Sequence, residues 1–221
     1  MKSDKKINIA IDGPAGAGKS TIAKKLAEKL SYIYVDTGAL YRAVAVSTFD
    51  ISDENEIVKK ANSLNIEIKF IGGSQHIFVN DKDVNHLLRT NEISKKASDV
   101  SAIKGVRDYL LDLQKNIAKT NNVIMDGRDI GTVILPKAQV KIFLVASPEV
   151  RAKRRYLELG EKIPYDKILS DINERDYNDT HRAEAPLRQA EDALLFDTSD
   201  LSIEEVVDRI YEIIKNKTEK I

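Results

Sequence analysis

Ile7–Ser20 has the sequence INIAIDGPAGAGKS, and this stretch decides the fold of the chain. Its first residues form a short apolar run that is typical of a buried strand, and Thr21–Leu30 has the pattern of a helix. Between them, Gly13–Ser20 matches G-x-x-x-x-G-K-[ST], the loop that wraps nucleotide phosphates. A strand that leads into such a loop and then into a helix is the setting that this motif requires. The stretch therefore predicts an α/β protein with a phosphate-binding loop (P-loop).

The chemistry of this loop favours a triphosphate with its magnesium ion. Glycines lack a Cβ, so the backbone can curl and aim several N–H groups at one anion, and the helix N-terminus adds positive potential. Lys19 can reach the β- and γ-phosphates, and the Ser20 hydroxyl can bind Mg²⁺ directly. The alternative is a glycine-rich turn without a ligand. The predicted ATP-binding residues are Gly13, Pro14, Ala15, Gly16, Ala17, Gly18, Lys19, Ser20 and Thr21.

The composition excludes several other classes of protein. The chain has 221 residues, of which 42% are hydrophobic, and this suits one domain with insertions around a real core. Lys and Arg total 35 and Asp and Glu total 35, so we expect no nucleic-acid partner. There is no cysteine, which excludes disulfides and thiolate metal sites. No apolar run is long enough for a membrane span or a signal peptide, and we expect a cytoplasmic protein.

Strand and helix patterns alternate along most of the chain. Apolar runs predict parallel strands at 7–12, 32–36, 122–126, 140–145 and 193–197. Amphipathic stretches predict helices at 20–30, 38–48, 104–118, 148–159, 166–180 and 203–215. Such alternation predicts a five-stranded parallel sheet between two helical layers. Residues 66–71 and 76–79 instead alternate with period two around Gly72–Ser74, which predicts a hairpin, with a third short strand near 80–83. We therefore expect a small β insertion over about 63–90.

Charged residues at predicted strand ends indicate a kinase rather than a GTPase. Ligands of parallel sheets bind beyond the carboxyl ends of the strands, where Asp12, Asp36 and Asp126 fall. The D-x-x-G and N-K-x-D motifs that a GTPase needs are both absent. A kinase needs a second anion pocket, because phosphoryl transfer depends on positioning and on positive charge around the transferred group.

Arginines, which bind phosphate bidentately, fall in suitable places. Arg42 begins the helix after the second strand, and Arg128 follows the third strand beside an aspartate. Arg175 and Asp179 lie four residues apart, so the alternative there is a surface ion pair worth at most about 1 kcal/mol. Two groups have the spacing of a single helix face: Arg151, Arg154 and Arg155, and Arg175, Asp179 and Arg182.

Four strings resemble those of a known family: IDGPAGAGKS at 11–20, DTGALYR at 36–42, DGRDIGTV at 126–133, and NERD with HRAEAPL over 173–187. They are similar to those of the bacterial cytidylate kinases, the CMP/dCMP kinases among the nucleoside monophosphate kinases. The P-loop string is generic, whereas the second and third strings are specific, and the likeness runs nearly end to end.

The resemblance implies one P-loop kinase domain over 1–221 with three parts. These are a core (1–36, 120–147 and 183–221), a monophosphate-binding part with the β insertion (about 37–119) and a helical lid (about 148–182). It implies transfer of the ATP γ-phosphoryl group to CMP or dCMP, with Mg²⁺ as cofactor, and we expect a monomer.

The resemblance also implies roles for individual residues. It assigns catalysis to Lys19, Arg128, Arg154 and Arg182, and substrate binding to Thr37, Tyr41, Arg42, Ser98, Arg107, Arg128, Asp129, Arg175, Asp179 and Arg182. Ser98, Arg107 and Asp129 resemble the cytosine readers, and Arg175 and Asp179 the sugar contacts. Base chemistry supports Asp129 independently, since its carboxylate can accept from the cytosine N4 amino group but would face an oxygen of uracil. The alternative for Asp129 is a helix N-cap.

The attacking CMP phosphate is already an anion, so no general base is needed, and His76, His86 and His181 are interpreted as structural. Asp126 is the candidate for orienting magnesium-bound water, Asp36 is a weaker one, and Asp12 can instead shape the P-loop. Two rival functions remain: a kinase for another small acceptor such as UMP or AMP, and a regulatory module that binds ATP without turnover.

Overall fold

The computed structural model describes residues 6–218. They form two sheets: a parallel sheet that lies between helices, and a small antiparallel sheet. The strands are β1 (Asn8–Asp12), β2 (Ile33–Asp36), β3 (Ile66–Ile71), β4 (Ser74–Val79), β5 (Lys82–Asp83), β6 (Val123–Gly127), β7 (Val140–Val145) and β8 (Leu194–Asp197). The helices are α1 (Lys19–Leu30), α2 (Thr37–Ser47), α3 (Glu54–Asn62), α4 (Asn91–Ser101), α5 (Lys104–Thr120), α6 (Pro148–Glu158), α7 (Tyr165–His181) and α8 (Ile203–Thr218). Single 3₁₀ and π turns cover Asn85–Leu87 and Ile130–Ile134.

The larger sheet has five parallel strands in the order β2-β6-β1-β7-β8. In its central strand β1, Ile9, Ala10 and Ile11 are completely buried. Helices α1 and α8 cover one face of the sheet, and α5 with the π turn covers the other. The predicted three-layer α/β fold is confirmed, and each sheet strand lies within one residue of its predicted bounds.

The β insertion is an antiparallel sheet in the order β3-β4-β5. Gly72 and Gly73 form its two-residue turn with φ of 58° and 79°, a conformation in which both central residues need positive φ. Its buried side chains, among them Ile66 and Ile77, pack with those of α2 to α5 into a second hydrophobic core. The predicted hairpin and third strand are both present.

Two helices, α3 and α4, were not predicted from the sequence. Each begins at a side-chain cap, since Asp53 accepts from the Glu56 N–H and Thr90 accepts from the Ile93 N–H. The spacing of Asp53 and Glu56 is that of a capping box and could have indicated α3. Among residues 6–218, no helix is both long and apolar enough to cross a membrane.

Candidate active site

The P-loop connects β1 to α1 along a path that requires glycine. Gly13 has a φ of 148°, and a Cβ there would overlap the Leu144 carbonyl of β7. Gly16 has a φ of 75°, and its Cβ would lie 3.3 Å from that of Arg151 on α6. The Lys19 ammonium folds back over the loop and donates to the Pro14 carbonyl at 2.7 Å. The loop is therefore closely packed against β7 and α6, and it encloses the buried amino group of Lys19.

A cavity of about 220 Å³ opens beside this loop, at the carboxyl ends of β2 and β6. All ten residues predicted to bind the acceptor line it, together with Lys19, Ser20 and Asp126. The charged lining groups are six cations (Lys19, Arg42, Arg107, Arg128, Arg175 and Arg182) and four carboxylates (Asp36, Asp126, Asp129 and Asp179). The lining therefore has an excess of positive charge, which suits an anionic ligand.

Asp36 and Arg42 form the wall of the cavity at the start of α2. Asp36 is the N-cap of this helix, and one carboxylate oxygen accepts from the Ala39 N–H at 3.0 Å. The other oxygen accepts from Arg42 Nη2 at 2.7 Å. The Arg42 Nε is buried and has no hydrogen-bond partner among the described residues. The Arg42 guanidinium is thus held by Asp36 through Nη2, and its Nε remains available to donate to a ligand.

Arg128 pairs with Asp179 across the cavity. Its Nε donates to the Asp179 carboxylate at 2.7 Å, which joins the end of β6 to helix α7. Burial raises the pKa of Asp179, but the charge and hydrogen bond of Arg128 outweigh burial and bring that pKa below its ordinary value. The alternative of a surface ion pair between Arg175 and Asp179 is wrong, because this buried carboxylate pairs with Arg128.

Arg175 lies beside Arg128 and has no equivalent salt bridge within residues 6–218. Burial, followed by the positive charge of Arg128, lowers the pKa of Arg175 to about 10. Its Nε is also buried without a hydrogen-bond partner in the described part of the chain. Two close guanidiniums with free donors form a site that an anion would stabilise.

Asp129 is held between two arginines in the wall of the cavity. Its carboxylate is paired with Arg107, and its other oxygen lies 3.8 Å from Arg182 Nη2. Asp129 is the residue before the π turn, but its side chain makes no capping hydrogen bond. Asp129 thus occupies the N-cap position of this turn, but its carboxylate is engaged by the arginines and does not cap it.

Neighbouring groups fix the two arginines around Asp129. Arg107 Nη1 donates to the Ser101 carbonyl at 3.0 Å, and Arg182 Nη1 donates to the Ser101 hydroxyl at 3.2 Å. The Arg107 guanidinium lies 5.5 Å from the centre of the Tyr41 ring, and burial raises the pKa of Tyr41 to about 12. The sequence analysis missed Ser101, which ends the unpredicted helix α4.

Asp126 lies behind the P-loop with both carboxylate oxygens engaged. The Ser20 hydroxyl donates to one at 2.7 Å and the Tyr34 hydroxyl to the other at 3.0 Å. Burial, reinforced by the charge of Asp36, raises the pKa of Asp126. Burial also lowers the pKa of Lys19, and nearby Arg128 lowers it further. Ser20 and Asp126 are thus in direct contact and present oxygen atoms, the ligands that Mg²⁺ prefers.

Asp12, at the end of β1, binds the π turn that follows Asp129. Its two carboxylate oxygens accept from the Ile130 and Gly131 N–H groups of the π turn at 2.8 and 2.7 Å. Burial raises the pKa of Asp12 to about 6, although these two hydrogen bonds oppose the change. Asp12 therefore ties the end of β1 to the turn that follows Arg128 and Asp129.

Helix α6 reaches the P-loop through Arg151, a contact that sequence reasoning missed. Its side chain is 3% exposed, donates to the Ala15 carbonyl at 3.0 Å, and binds both oxygens of Asp176 at 3.0 and 2.5 Å. The structure does not bring Arg154 into the cavity. Its guanidinium donates to the Thr198 hydroxyl and carbonyl at 3.2 and 2.6 Å, which directs it to the loop after β8.

Comparison with known proteins supports one family. The family model described as cytidylate kinase matches residues 9–216. The chain belongs to the cytidylate kinase family. The curated cytidylate kinase of Caldicellulosiruptor bescii is 52% identical to this chain over 224 residues, and the match covers 96% of this chain and 99% of the relative. The cytidylate kinase of Bacillus subtilis is 46% identical over 222 residues, and the match covers 97% of this chain and 99% of the relative.

Solved structures of more distant proteins share the fold of the cytidylate kinase family. A gluconokinase from Sinorhizobium meliloti has a TM-score of 0.54 at 16% identity and covers 99% of this chain and 97% of its own. A shikimate kinase from Bacteroides thetaiotaomicron has a TM-score of 0.51 at 16% identity and covers 95% and 98%. At this identity the likeness concerns the arrangement of strands and helices alone.

Proposed function

We propose that this protein transfers the γ-phosphoryl group of ATP to CMP and to dCMP, giving ADP with CDP or dCDP. The observation that carries the proposal is the convergence of Arg42, Arg128 and Arg182 on one cavity whose wall includes Lys19 of the P-loop. A triphosphate bound at the loop and a monophosphate bound at these arginines would face each other. The family's curated members, named cytidylate kinases, support CMP as the acceptor.

The donor side would be held by the P-loop. Its backbone N–H groups and the N-terminus of α1 would bind the phosphates, and the Lys19 ammonium would exchange its bond to Pro14 for the β- and γ-oxygens. Ser20 and Asp126 fit a magnesium ion, Ser20 through its hydroxyl and Asp126 through a bound water. Mg²⁺ would neutralise charge on the β- and γ-oxygens as it develops.

The acceptor side would bind the CMP phosphate through arginine forks. Arg42 and Arg175 each present a buried Nε with no partner among the described residues, and Arg128 is close enough for its charge to act on both Lys19 and Arg175. The phosphate oxygen that attacks carries a negative charge already, so the arginines act by orienting it and by balancing charge in the transition state. Thr37 and Tyr41 would line the same pocket, and Arg175 and Asp179 would contact the sugar.

The base would be read at Asp129 and Arg107, with Ser98 beside them. The Asp129 carboxylate can accept from the cytosine N4 amino group, and Arg107 can donate to N3 and O2. Both side chains are buried, so a uracil oxygen opposite Asp129 would leave acceptors facing each other at a cost of about 1–3 kcal/mol or more. This arrangement favours CMP over UMP.

The division into a core, a monophosphate-binding part over about 37–119 and a lid over about 148–182 is part of the proposal. It is supported by separate hydrophobic clusters, one around α2 to α5 with the β insertion and another between α6 and α7. Closure of α6 and α7 over the phosphates would exclude water and protect ATP from hydrolysis. A monomer in the cytoplasm and the lack of a nucleic-acid partner stay predictions, as does a catalytic role for Arg154.

An assay of acceptor-dependent ADP release tests the function directly. With ATP and Mg²⁺ present, CMP and dCMP should give rapid release, and UMP and AMP should give much less. A preference for UMP or AMP would replace the proposed acceptor. Tight ATP binding without release for any monophosphate would favour the regulatory module instead.

The lowered pKa of Lys19 predicts that ATP binding takes up a proton in mildly alkaline solution. Above neutral pH, burial and Arg128 favour the neutral amine of Lys19 in the free protein, whereas bound phosphates favour the ammonium. ATP affinity should therefore weaken as the pH rises above neutrality, and binding at about pH 8.5 should consume close to one proton. Titration calorimetry in two buffers of different ionisation enthalpy measures this uptake. Lys19→Arg is the control, because a guanidinium stays charged; equal uptake by both proteins would contradict the assignment.

A further inference from the structure

The side chain of Gln75 joins the β insertion to the edge of the large sheet by two hydrogen bonds. Strand β2 is at an edge of that sheet, and its last residue is Asp36. The Gln75 amide oxygen accepts from the Asp36 N–H at 2.8 Å, and its amide nitrogen donates to the Asp36 carbonyl at 3.1 Å. One side-chain amide thus satisfies both main-chain groups of Asp36, as a neighbouring strand would.

Asp36 passes this restraint to a phosphate-binding group. Its main chain is fixed by Gln75, and its carboxylate accepts from the Ala39 N–H at 3.0 Å and from Arg42 Nη2 at 2.7 Å. Gln75 binds the main chain of Asp36 and Arg42 binds its carboxylate, so Asp36 links the β insertion to the Arg42 guanidinium. A rotation of the Asp36 main chain would move the carboxylate and, with it, the Arg42 donors that face the cavity.

The insertion holds Gln75 in place. Gln75 lies on β4 opposite Phe70 of β3. The Asn85 side chain contacts β4 at Gln75 and two residues later, donating to the Gln75 carbonyl at 3.5 Å and accepting from the Ile77 N–H at 3.1 Å. The Ile77 side chain is completely buried in the second hydrophobic core. Gln75 is therefore presented to the sheet edge by a hairpin that is anchored in this core.

We propose that Gln75 is a positioning residue for acceptor binding, acting through Asp36 to orient Arg42 toward the phosphate of the nucleoside monophosphate. The inference rests on the proposed function. It gives the β insertion a role in acceptor binding, although none of the predicted site residues lies in that insertion. It also makes a specific claim, that the effect of Gln75 on the acceptor depends on Arg42.

Gln75→Met tests the proposal, since it keeps the length of the side chain and removes both hydrogen bonds. Gln139→Met is a matched control. The Gln139 amide also binds main chain, accepting from the Asn8 N–H at 2.7 Å and donating to the Lys6 carbonyl at 3.4 Å, but at the opposite end of the sheet. We expect Gln75→Met to raise the KM for CMP about fivefold to tenfold, the size expected for two modest hydrogen bonds. The KM for ATP and kcat should stay within about twofold.

The Arg42→Ala background separates positioning from general loosening. If Gln75 acts through Arg42, then adding Gln75→Met to Arg42→Ala should change the KM for CMP by less than about twofold. A fivefold rise in both backgrounds, or no rise in either, overturns the inference. Circular dichroism checks that each variant is folded. Should Gln75→Met fail to fold, Gln75→Glu keeps the acceptor, places an oxygen against the Asp36 carbonyl, and should raise the KM in the same Arg42-dependent way.

The same measurements distinguish failure of the function from failure of the inference. Wild type and Gln139→Met must both release ADP in response to CMP. If neither does so, the proposed function fails, and the inference fails with it. If both do so and Gln75→Met matches them, the proposed function stands and only the role of Gln75 is rejected.

Discussion

Arg128→Ala should lower kcat for CMP phosphorylation about a thousandfold, the lower end of the effect of an arginine that stabilises transferred phosphate. Arg128 is at the end of β6, and its neighbours in the cavity include Lys19 on the donor side and Arg175 on the acceptor side. The charge that it contributes is needed most when the phosphoryl group lies between donor and acceptor. The loss should therefore fall mainly on kcat rather than on the KM for ATP.

Arg128 also pairs with a buried carboxylate, so the variant needs a test of stability. Without Arg128, Asp179 would be a nearly buried charge without its cation, and unfolding free energy should fall by about 3 kcal/mol. Arg128→Ala combined with Asp179→Asn removes that charge and should recover most of the stability but none of the turnover. Arg155→Ala, which removes a half-exposed arginine paired with Glu158, is the control. A kcat for Arg128→Ala within tenfold of wild type would remove Arg128 from the reaction.

Asp129→Asn should reduce the preference for CMP over UMP, as a ratio of kcat/KM values, by about a hundredfold. The substitution keeps the shape of the side chain, but its amide nitrogen can donate to the uracil O4 and no longer accepts from the cytosine N4. CMP should become a poorer acceptor and UMP a better one. The opposite directions are informative, because general damage to the site would lower both rates.

Steady-state ADP release with each monophosphate, at matched ATP, measures this ratio. Asp208→Asn serves as the control, because Asp208 is an exposed carboxylate that pairs with Lys29 on the outer helical layer. Asp129 is also paired with Arg107 and lies near Arg182, so thermal unfolding should be recorded for both variants. An unchanged CMP-to-UMP ratio in a folded Asp129→Asn protein would mean that the base is read by other groups.

The parts of the fold that depend on local pattern could be predicted from the sequence. The strand, glycine loop and helix over Ile7–Leu30 were predicted because phosphate-loop spacing, apolar strand residues and helical periodicity agree there. Helix α4 was missed because its apolar residues are few and Thr90 caps it without a glutamate three positions later. Such a helix is stabilised mainly by packing against α2 and α5, which sequence patterns do not report.

Membership of the site could be predicted more fully than its pairings. The resemblance to a family gathered the residues that line the cavity, but helical spacing paired Asp179 with Arg175. The structure pairs Asp179 with Arg128, which is 51 positions away. Gln75 gave no signal, since a single glutamine on a hairpin is ordinary until the sheet edge that it meets is known. Arg154 shares a helical face with Arg151, but only the folded chain shows that it turns toward Thr198.

The excess of cations in the cavity has a practical consequence for handling the protein. Six basic groups and four carboxylates line a cavity of about 220 Å³, and the guanidiniums of Arg42 and Arg175 keep unused donors. Sulfate or inorganic phosphate from a buffer would fit the same donors and compete with the nucleotides. Affinities measured in phosphate buffer would then be underestimated, and crystals grown from ammonium sulfate would be expected to carry an oxyanion where the acceptor belongs.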